Sequence, residues 1–365
     1  MIETTVNVGA TVSRIIQLHH FFSCAFQLPM QLINAHPLST RCLTHPKGDF
    51  LVDSDAQAIN ESERLAVYTV QQPAFKRAVK TAYVYIHDKY LAKYINLLRR
   101  GEKFILLSYP IYRGGNWLYL WAYAATLRHR GTDKASLLYG PGMEAWTAEF
   151  PKLASITASS SEYTFFTRRS GYFPKDIEKD IGEEDLHFFV REYLLSSEAF
   201  SKRLARMQNL VDENSFVINI RRGDYYSVPQ INEVFGIDTV TYVEQALKKL
   251  QETVTPSKII FVSDDLQWCA ENLSHLNSVA PCIFEKQGSG MFDDLALVAS
   301  APYLILTNTT FGYWGAYIGE LLAQKLVLSP GIHQVIPESR PKMHRTHWVT
   351  VHHPEGKNWI SGEPL

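Results

Sequence analysis

The sequence predicts an α/β protein with two doubly wound domains, each built on a parallel sheet. Its 365 residues are more than one ordinary core accommodates. Hydrophobic residues make up 46% and charged residues 20%, a balance typical of globular proteins. The second half repeats a short β-branched apolar stretch followed by a helical pattern, and parallel strands need such helical crossovers.

The elements of the second half follow from this repeat. Short connections between them favour consecutive strand–helix units in one sheet. Strands are predicted at 216–220, 258–262, 303–307 and 325–328, and helices at 239–251, 266–273, 292–300 and 311–322.

A similar unit begins the middle of the chain. The apolar run 103–109 predicts a strand, the loop 112–116 contains Gly114 and Gly115, and 117–130 predicts a helix. Strand, glycine loop and helix are how an open α/β sheet begins, and a helix N-terminus favours an anion. The aromatic residues of that helix favour a core position over a sugar platform. A strand at 135–139 and helices at 183–195 and 197–210 complete this half, and the polar linker 211–215 marks the domain boundary.

The N-terminal region has few structural signals. A helical pattern runs over 74–100, and the apolar segment 15–33 is too interrupted by polar residues to span a bilayer. That segment favours a buried or amphipathic helix, and it also suits peripheral membrane contact through its phenylalanines. We predict an N-terminal, mostly helical extension (1–101), a first Rossmann-like domain (102–214), a second Rossmann-like domain (215–330) and a C-terminal segment (331–365).

Charge and cysteine content narrow the class of protein. Lys plus Arg is 36 and Asp plus Glu is 37, so the net charge of −1 argues against nucleic-acid binding through bulk charge. The four cysteines lack metal-ligand spacing and form no disulfide framework. These features predict a cytoplasmic or membrane-associated protein and leave a secretory location open.

The stretch 216–226 contains the most distinctive chemistry. Its apolar strand ends abruptly in Arg221-Arg222-Gly223-Asp224. Paired guanidinium groups are costly to bury unless they meet an anion, and the planar fork of Arg fits phosphate oxygens. We therefore predict that both arginines face a phosphorylated ligand and that Gly223 lets the backbone come close. Two alternatives are a surface turn with ordinary ion pairs and an Arg-Gly-Asp adhesion tripeptide.

Two further polar clusters follow neighbouring strands of the predicted sheet. Ser263-Asp264-Asp265 follows one strand and Asn308-Thr309-Thr310 follows another. Ligands of open α/β sheets bind at this carboxyl edge. The alternative is that the acids and threonines cap the next helices, and Asp293 and Asp294 favour caps over metal ligands. Together the clusters predict a transferase whose arginines stabilise charge on a departing diphosphate.

Three motifs resemble those of α-1,2-fucosyltransferases, glycosyltransferase family 11. They are Asn-Ile-Arg-Arg-Gly-Asp (219–224), Ser-Asp-Asp with Trp-Cys (263–265, 268–269) and Asn-Thr-Thr-Phe-Gly-Tyr-Trp-Gly-Ala (308–316). Gly115-Asn116, with Leu118 and Ala122, is similar to a degenerate form of that family's first motif. The order and spacing agree over about 103–328 and leave the first hundred residues uncovered.

The resemblance implies a GT-B fold, GDP-fucose as donor substrate without a further cofactor or metal, and inverting transfer to a galactose hydroxyl of a glycan acceptor. It implies that 102–214 is the acceptor-side domain and 215–330 the nucleotide-sugar donor domain. It also implies that Arg221 holds the donor phosphates, that Arg222 shapes the site or shares this contact, and that Asp224 orients the arginines. The donor-binding residues implied with them, or predicted from their place at the strand ends, are Asn116, Asn219, Gly223, Ser263, Asp264, Asp265, Asn308, Thr309, Thr310 and Phe311.

The chain departs from the family pattern at a few positions. Asn219 stands where the family usually has His, Trp117 replaces a Gln, and Gly312-Tyr313 replaces Ser-Trp. These departures leave two alternatives open: a transferase that uses a different donor sugar or acceptor, and a non-catalytic nucleotide or sugar binder on the same scaffold. The residues themselves identify no general base.

Overall fold

In the computed structural model, the described residues are 99, 102–109, 112–164, 166–335 and 342–362. The apolar segment 15–33 and, apart from Arg99, the predicted helix 74–100 lie outside them. The structure has an α/β fold with two parallel sheets, the GT-B-like pairing of Rossmann-type halves that the sequence predicts.

The first sheet has four parallel strands in the order β3-β2-β1-β4. Its apolar strand β1 occupies an inner position, and β4 is a strand that the sequence analysis missed because Arg168-Arg169-Ser170 has no apolar pattern. The strands are β1 (Lys103–Leu106), β2 (Lys134–Leu138), β3 (Thr157–Ala158) and β4 (Arg168–Ser170).

The second sheet has six parallel strands in the order β10-β9-β8-β5-β6-β7. The four longer strands were predicted to within a residue at each end, because each is an apolar run of β-branched residues. The strands are β5 (Ser215–Ile220), β6 (Lys258–Ser263), β7 (Cys282–Ile283), β8 (Tyr303–Leu306), β9 (Leu326–Ser329) and β10 (Val349–Thr350).

Helices connect these strands. The predicted helices 239–251 and 266–273 are confirmed at both ends, and the predicted helix 183–195 divides into an α-helix and a π-helical turn over Val190–Leu195. The α-helices are α1 (Gly114–His129), α2 (Glu144–Glu149), α3 (Glu183–Phe189), α4 (Glu198–Gln208), α5 (Gly223–Ser227), α6 (Pro229–Phe235), α7 (Thr239–Gln251), α8 (Leu266–Leu273), α9 (Met291–Ser300) and α10 (Thr310–Gly319).

The prediction of a glycine loop (112–116) before α1 is wrong in one respect. Gly114 and Gly115 form the first turn of the helix instead of a loop. Packing explains both glycines, because a Cβ on Gly114 would lie 2.2 Å from the Trp146 ring and one on Gly115 would lie 2.5 Å from Thr310 Oγ1. The glycines therefore permit close contact between elements, and they do so inside a helix.

The two halves share a hydrophobic core. Side chains alternate across β5, so that Val217 faces a core continuous with the first half, whereas Phe216 and Ile218 face a core formed with α7 and α8. The helix α10 lies in the shared core, where Trp314 packs against Tyr119 with ring centroids 5.0 Å apart. A large apolar interface of this kind holds two domains in a fixed relation.

The C-terminal segment crosses back to the first half. Lys342 forms an isolated parallel bridge with Asp176, and Arg345, whose side chain is only 1% exposed, bonds Glu178 and Glu320. Burying this guanidinium is tolerable because carboxylates surround it. The segment then pairs as β10 with β9. It thus ties the first half to the edge of the second sheet.

Candidate active site

The three predicted polar clusters lie together at one sheet edge. β5 pairs in parallel with β6, Ile220 opposite Ser263, and with β8, Asn219 opposite Leu306. The carboxyl ends of these three strands are therefore neighbours, as the sequence predicted. The residues after them form the surface that we call the donor edge (221–224, 263–265 and 307–311).

Arg221 is fixed at the centre of the donor edge by two carboxylates. Its Nη2 lies 2.7 Å from Asp224 Oδ1 and its Nη1 lies 2.9 Å from Asp264 Oδ2, while its backbone N–H donates to Thr307 Oγ1 at 3.3 Å. Burial lowers the pKa of this guanidinium, but the carboxylates of Asp264 and Asp224 outweigh burial and raise the pKa above its ordinary value. The group is 39% exposed, so it is held as a cation that still reaches the surface.

Gly223 makes room for Asp264. A Cβ on Gly223 would lie 2.5 Å from Asp264 Oδ2, and the φ of Gly223 is +20°. This close approach lets Asp264 Oδ1 accept the backbone N–H of Arg222 at 2.7 Å. The sequence analysis expects Gly223 to admit a ligand, whereas the group that approaches its backbone in the structure is the carboxylate that orients Arg221.

Arg222 is held by aromatic rings. Its Cζ lies 3.4 Å from the centroid of the Tyr226 ring and 3.7 Å from that of the Trp268 ring. Such stacking suits the planar, delocalised guanidinium. Its Nε is buried without a hydrogen-bond partner among the described residues. Arg222 therefore joins β5 to α8, and it differs from Arg221 in having no carboxylate partner in the described chain.

The remaining polar residues of two clusters anchor their turns. The Asp265 side chain accepts the Trp268 N–H at 2.9 Å and caps α8, and the Asp265 N–H donates to Ser263 Oγ at 3.0 Å. Asn308 is buried and donates through Nδ2 to the carbonyls of Phe235 and His333 at 2.8 and 3.0 Å. The capping alternative is thus correct for Asp265, while Asp264 serves the arginines.

Two helix N-termini meet at the donor edge. Gly115, in the first turn of α1, lies against Thr310 at the start of α10, and Trp314 Nε1 donates to the Gly115 carbonyl at 2.8 Å. In the described part of the chain, the N-cap residues Arg113 and Thr309 make no side-chain cap hydrogen bond, and neither first turn contains an acid. Uncapped N–H groups and two positive dipole ends favour an anion here. Asn116, Thr310 and Phe311 are half-buried at this junction.

Asn219 points into the protein and not toward the surface. It is 4% exposed, its Nδ2 donates to the Val262 carbonyl at 3.2 Å, and its Oδ1 has no partner among the described residues. A Cβ on Gly312 would lie 2.3 Å from that Oδ1. Two of the departures from the family motifs, Asn219 and Gly312, are therefore in contact, and Gly312 provides the space that Asn219 occupies.

Sequence reasoning missed several residues of the site. Thr307 was read as the end of a strand, although its hydroxyl accepts the Arg221 N–H. The sequence analysis assigns no role to Tyr225 and Tyr226, which end the stretch 216–226. Tyr226 stacks on Arg222, and burial raises the pKa of Tyr225 above its usual value. The alternation of charge and aromatic residues over 221–226 was the signal that could have indicated these contacts.

Among the described residues, no group of three or more His, Cys, Asp or Glu side chains is placed to hold a metal ion. Within the same part of the chain, no helix combines the length and apolarity needed to cross a membrane. Cys269 and Cys282 are free thiols.

Parallel sheets, an arginine at a strand end and two convergent helix N-termini define an α/β protein with a cationic group and two helix N-termini at one sheet edge. The family model described as "Glycosyl transferase family 11" matches residues 144–329, just over half of the sequence. The chain belongs to this family, which confirms the resemblance seen in its motifs.

Named relatives agree with this membership over part of their length. The chain is 30% identical over 105 residues to an alpha-1,2-colitosyltransferase of Escherichia coli, covering 29% of this chain and 36% of the relative. It is 31% identical over 139 residues to galactoside alpha-(1,2)-fucosyltransferase 2 of Oryctolagus cuniculus, covering 37% of each. The matched region therefore spans less than two fifths of these relatives.

Solved structures show more distant similarity. A mutant of Arabidopsis thaliana FUT1 in complex with GDP is 12% identical with a TM-score of 0.36, over 68% of this chain and 78% of that one. POFUT1 in complex with GDP is 11% identical with a TM-score of 0.34, over 60% of this chain and 95% of that one.

Proposed function

We propose that this protein transfers fucose from GDP-fucose to a galactose hydroxyl of a glycan, forming an α-1,2 linkage with inversion. The observation that carries the proposal is the placement of Arg221. Its guanidinium is oriented by Asp224 and Asp264 at the strand end where the first turn of α10 begins. A diphosphate bound there would meet a fixed cation and helix N–H groups together.

The reaction follows from this arrangement. As the bond between the sugar and the diphosphate breaks, negative charge grows on the leaving phosphate, and Arg221 with the Thr309–Thr310 turn stabilises it. Groups that are already oriented lower the barrier because they need no rearrangement when the charge develops. In this proposal the arginine cation supplies the charge compensation, so transfer proceeds without a metal. The acceptor hydroxyl approaches from the opposite side of the sugar, and its oxygen forms the new glycosidic bond as the bond to the diphosphate breaks, which inverts the configuration. GDP leaves, and the hydroxyl proton passes to water.

The other site residues support this central group. Arg222, between two rings, fixes the start of α5, and Asp224 holds Arg221. The turn 263–265 lies one strand away at the same edge and would contact the nucleoside. Asn116 approaches from the first half, next to Thr310. Gly223, Asn219 and Asn308 shape the backbone on which these groups stand.

Arg221→Ala tests the proposal. We expect GDP release from GDP-fucose in the presence of lactose to fall about 100-fold or more, because one preorganised charge is lost. The control is Arg191→Ala, which removes an exposed arginine outside the donor edge. Both variants should keep the wild-type unfolding midpoint in urea. Wild-type turnover in folded Arg221→Ala would contradict the mechanism.

A non-catalytic nucleotide binder is the second candidate. The observation that favours it is Asn219, which is buried and turned away from the surface where the family usually has His. Calorimetry with GDP-fucose, combined with an assay for GDP release, separates the two candidates, since a binder gives heat without product. A panel of nucleotide sugars in the same assay tests the remaining alternative, a different donor sugar.

A further inference from the structure

An exposed tyrosine lies at the carboxyl edge of the first sheet. Tyr109 is 54% exposed and follows β1, while Gly171 follows β4, the strand paired with β1. A Cβ built on Gly171 would lie 3.6 Å from the Tyr109 hydroxyl. The Tyr109 hydroxyl thus lies at ordinary contact distance from the Gly171 position, and more than half of the tyrosine remains open to solvent at this edge.

The Tyr109 ring packs against a second tyrosine, Tyr112. Its centroid lies 5.4 Å from that of Tyr112 with the planes at 80°, and the Tyr112 N–H donates to the Tyr109 carbonyl at 2.9 Å. Tyr112 in turn packs on Phe173, with centroids 5.1 Å apart, and Phe173 contacts the buried Tyr119. The ring thus has a fixed position on the core, with little conformational entropy to lose when a ligand stacks on it.

The same segment continues to the donor edge. From Tyr112 the chain passes Arg113 into the first turn of α1, where Gly115 touches Thr310. Tyr109 therefore stands two short turns from the contact between the halves. Tyr109 and Gly115 both follow β1, so the ring lies at the same edge of the first sheet as the contact between α1 and Thr310.

We propose that Tyr109 is the stacking platform for the pyranose ring of the acceptor, a β-galactoside. This inference rests on the proposed function and adds the acceptor subsite to it. One face of galactose presents polarised C–H groups, which are attracted to the negative face of an aromatic ring. The edge-on contact with Tyr112 sets the angle of the platform.

Steady-state kinetics with varied lactose tests the platform. Tyr109→Ala should raise the KM for lactose about tenfold, whereas Tyr109→Phe, which keeps the ring, should change it less than twofold. The KM for GDP-fucose and the slow release of GDP without acceptor should stay at wild-type values in both. Phe166→Ala is the matched control, because Phe166 is 61% exposed but precedes β4 and so lies at the opposite sheet edge.

Three results would overturn the platform. One is a wild-type KM for lactose in Tyr109→Ala, and another is an equal rise in Phe166→Ala. The third is a change of mass in sedimentation for Tyr109→Ala, which would mean that the ring contacts a second copy of the chain.

Lactose binding can be measured by saturation-transfer NMR, with and without GDP. This measurement tests the platform independently of the proposed transferase activity. Wild-type protein that binds lactose through Tyr109 but releases no GDP supports the platform and contradicts the transferase. Protein that releases GDP normally while Tyr109→Ala binds lactose as the wild type does refutes the platform alone.

Discussion

The carboxyl edges of the two sheets are built in opposite ways. At the donor edge, Arg221 is paired with two acids, Arg222 is enclosed by two rings, and the Asn308 amide is bonded to two carbonyls. At the edge of the first sheet, Tyr109 presents more than half of its surface to solvent. The side chains of the donor edge are therefore fixed by ion pairs, cation–π contacts and hydrogen bonds. Tyr109 packs on Tyr112 but keeps most of its surface open to solvent.

This difference fits the two tasks of a sugar transferase. Stabilising a leaving phosphate requires charges whose positions are set before the reaction, because reorganising them would cost part of the stabilisation. Binding a neutral sugar requires area and shape more than charge. Substitutions that break the contacts of the donor edge should therefore reduce turnover strongly. Substitutions elsewhere should mainly affect binding or stability.

After Arg221→Ala, Asp264→Asn should give the largest effect. The amide keeps the size of the side chain and an oxygen for the Arg222 N–H, but it removes the negative charge facing Arg221. We expect kcat to fall about 100-fold because Arg221 loses its fixed orientation, with little change in the urea midpoint. Asp265→Asn is the control, since that side chain caps α8. An Asp265 variant that loses more activity than the Asp264 variant would contradict the assignment of these two acids.

Gly312→Ala should act next. The added methyl would lie 2.3 Å from Asn219 Oδ1, and we expect a loss of unfolding free energy of as much as about 3 kcal/mol, with lower turnover. Asn219→Ala/Gly312→Ala should recover part of both losses, which a double-mutant cycle measures. Gly290→Ala is the control, because its Cβ would meet nothing within 4 Å. Additive effects of the two changes would show that the contact between Asn219 and Gly312 is unimportant.

Sequence predicted the second sheet well because its signals are local. Each long strand is an apolar run followed by polar residues, and α7 and α8 begin at Asp238 and Asp265, whose side chains cap them. The same local reasoning placed three clusters on one edge, since parallel strands align their carboxyl ends. It also named the charged residues of that edge.

What the sequence did not predict depends on contacts between distant residues. The pairing of Arg221 with Asp264 joins positions 43 apart in the chain, and no pattern within either motif specifies it. The start of α1 at Gly114 follows from packing against Trp146 and Thr310, so glycines that suggest a loop lie inside a helix. β4 was missed because its arginines conceal the strand, and parallel pairing with β1 stabilises it.

Lowering the pH should weaken a third region, the ion pairs between the halves. Asp293, 1% exposed, pairs with Arg203 and Arg206 of α4. Burial would raise its pKa, but Arg203 and the Ser289 N–H outweigh burial and lower the pKa to about 2. Because this folded-state pKa lies below the unfolded value of 3.8, the carboxylate stabilises the fold above pH 4, and that contribution disappears as the pH falls to 2.

The loss between pH 4 and 2 should be about 2 kcal/mol in wild type, measured by urea unfolding, and Asp293→Asn should not show this component. Glu198→Gln is the control, since its exposed pair with Lys202 contributes little. An equal pH dependence in wild type and Asp293→Asn would show that this bridge does not stabilise the contact between the halves. In that case the shared core alone would hold the two halves in their relative positions. Asp293→Asn should then also have the turnover of the wild type at pH 7.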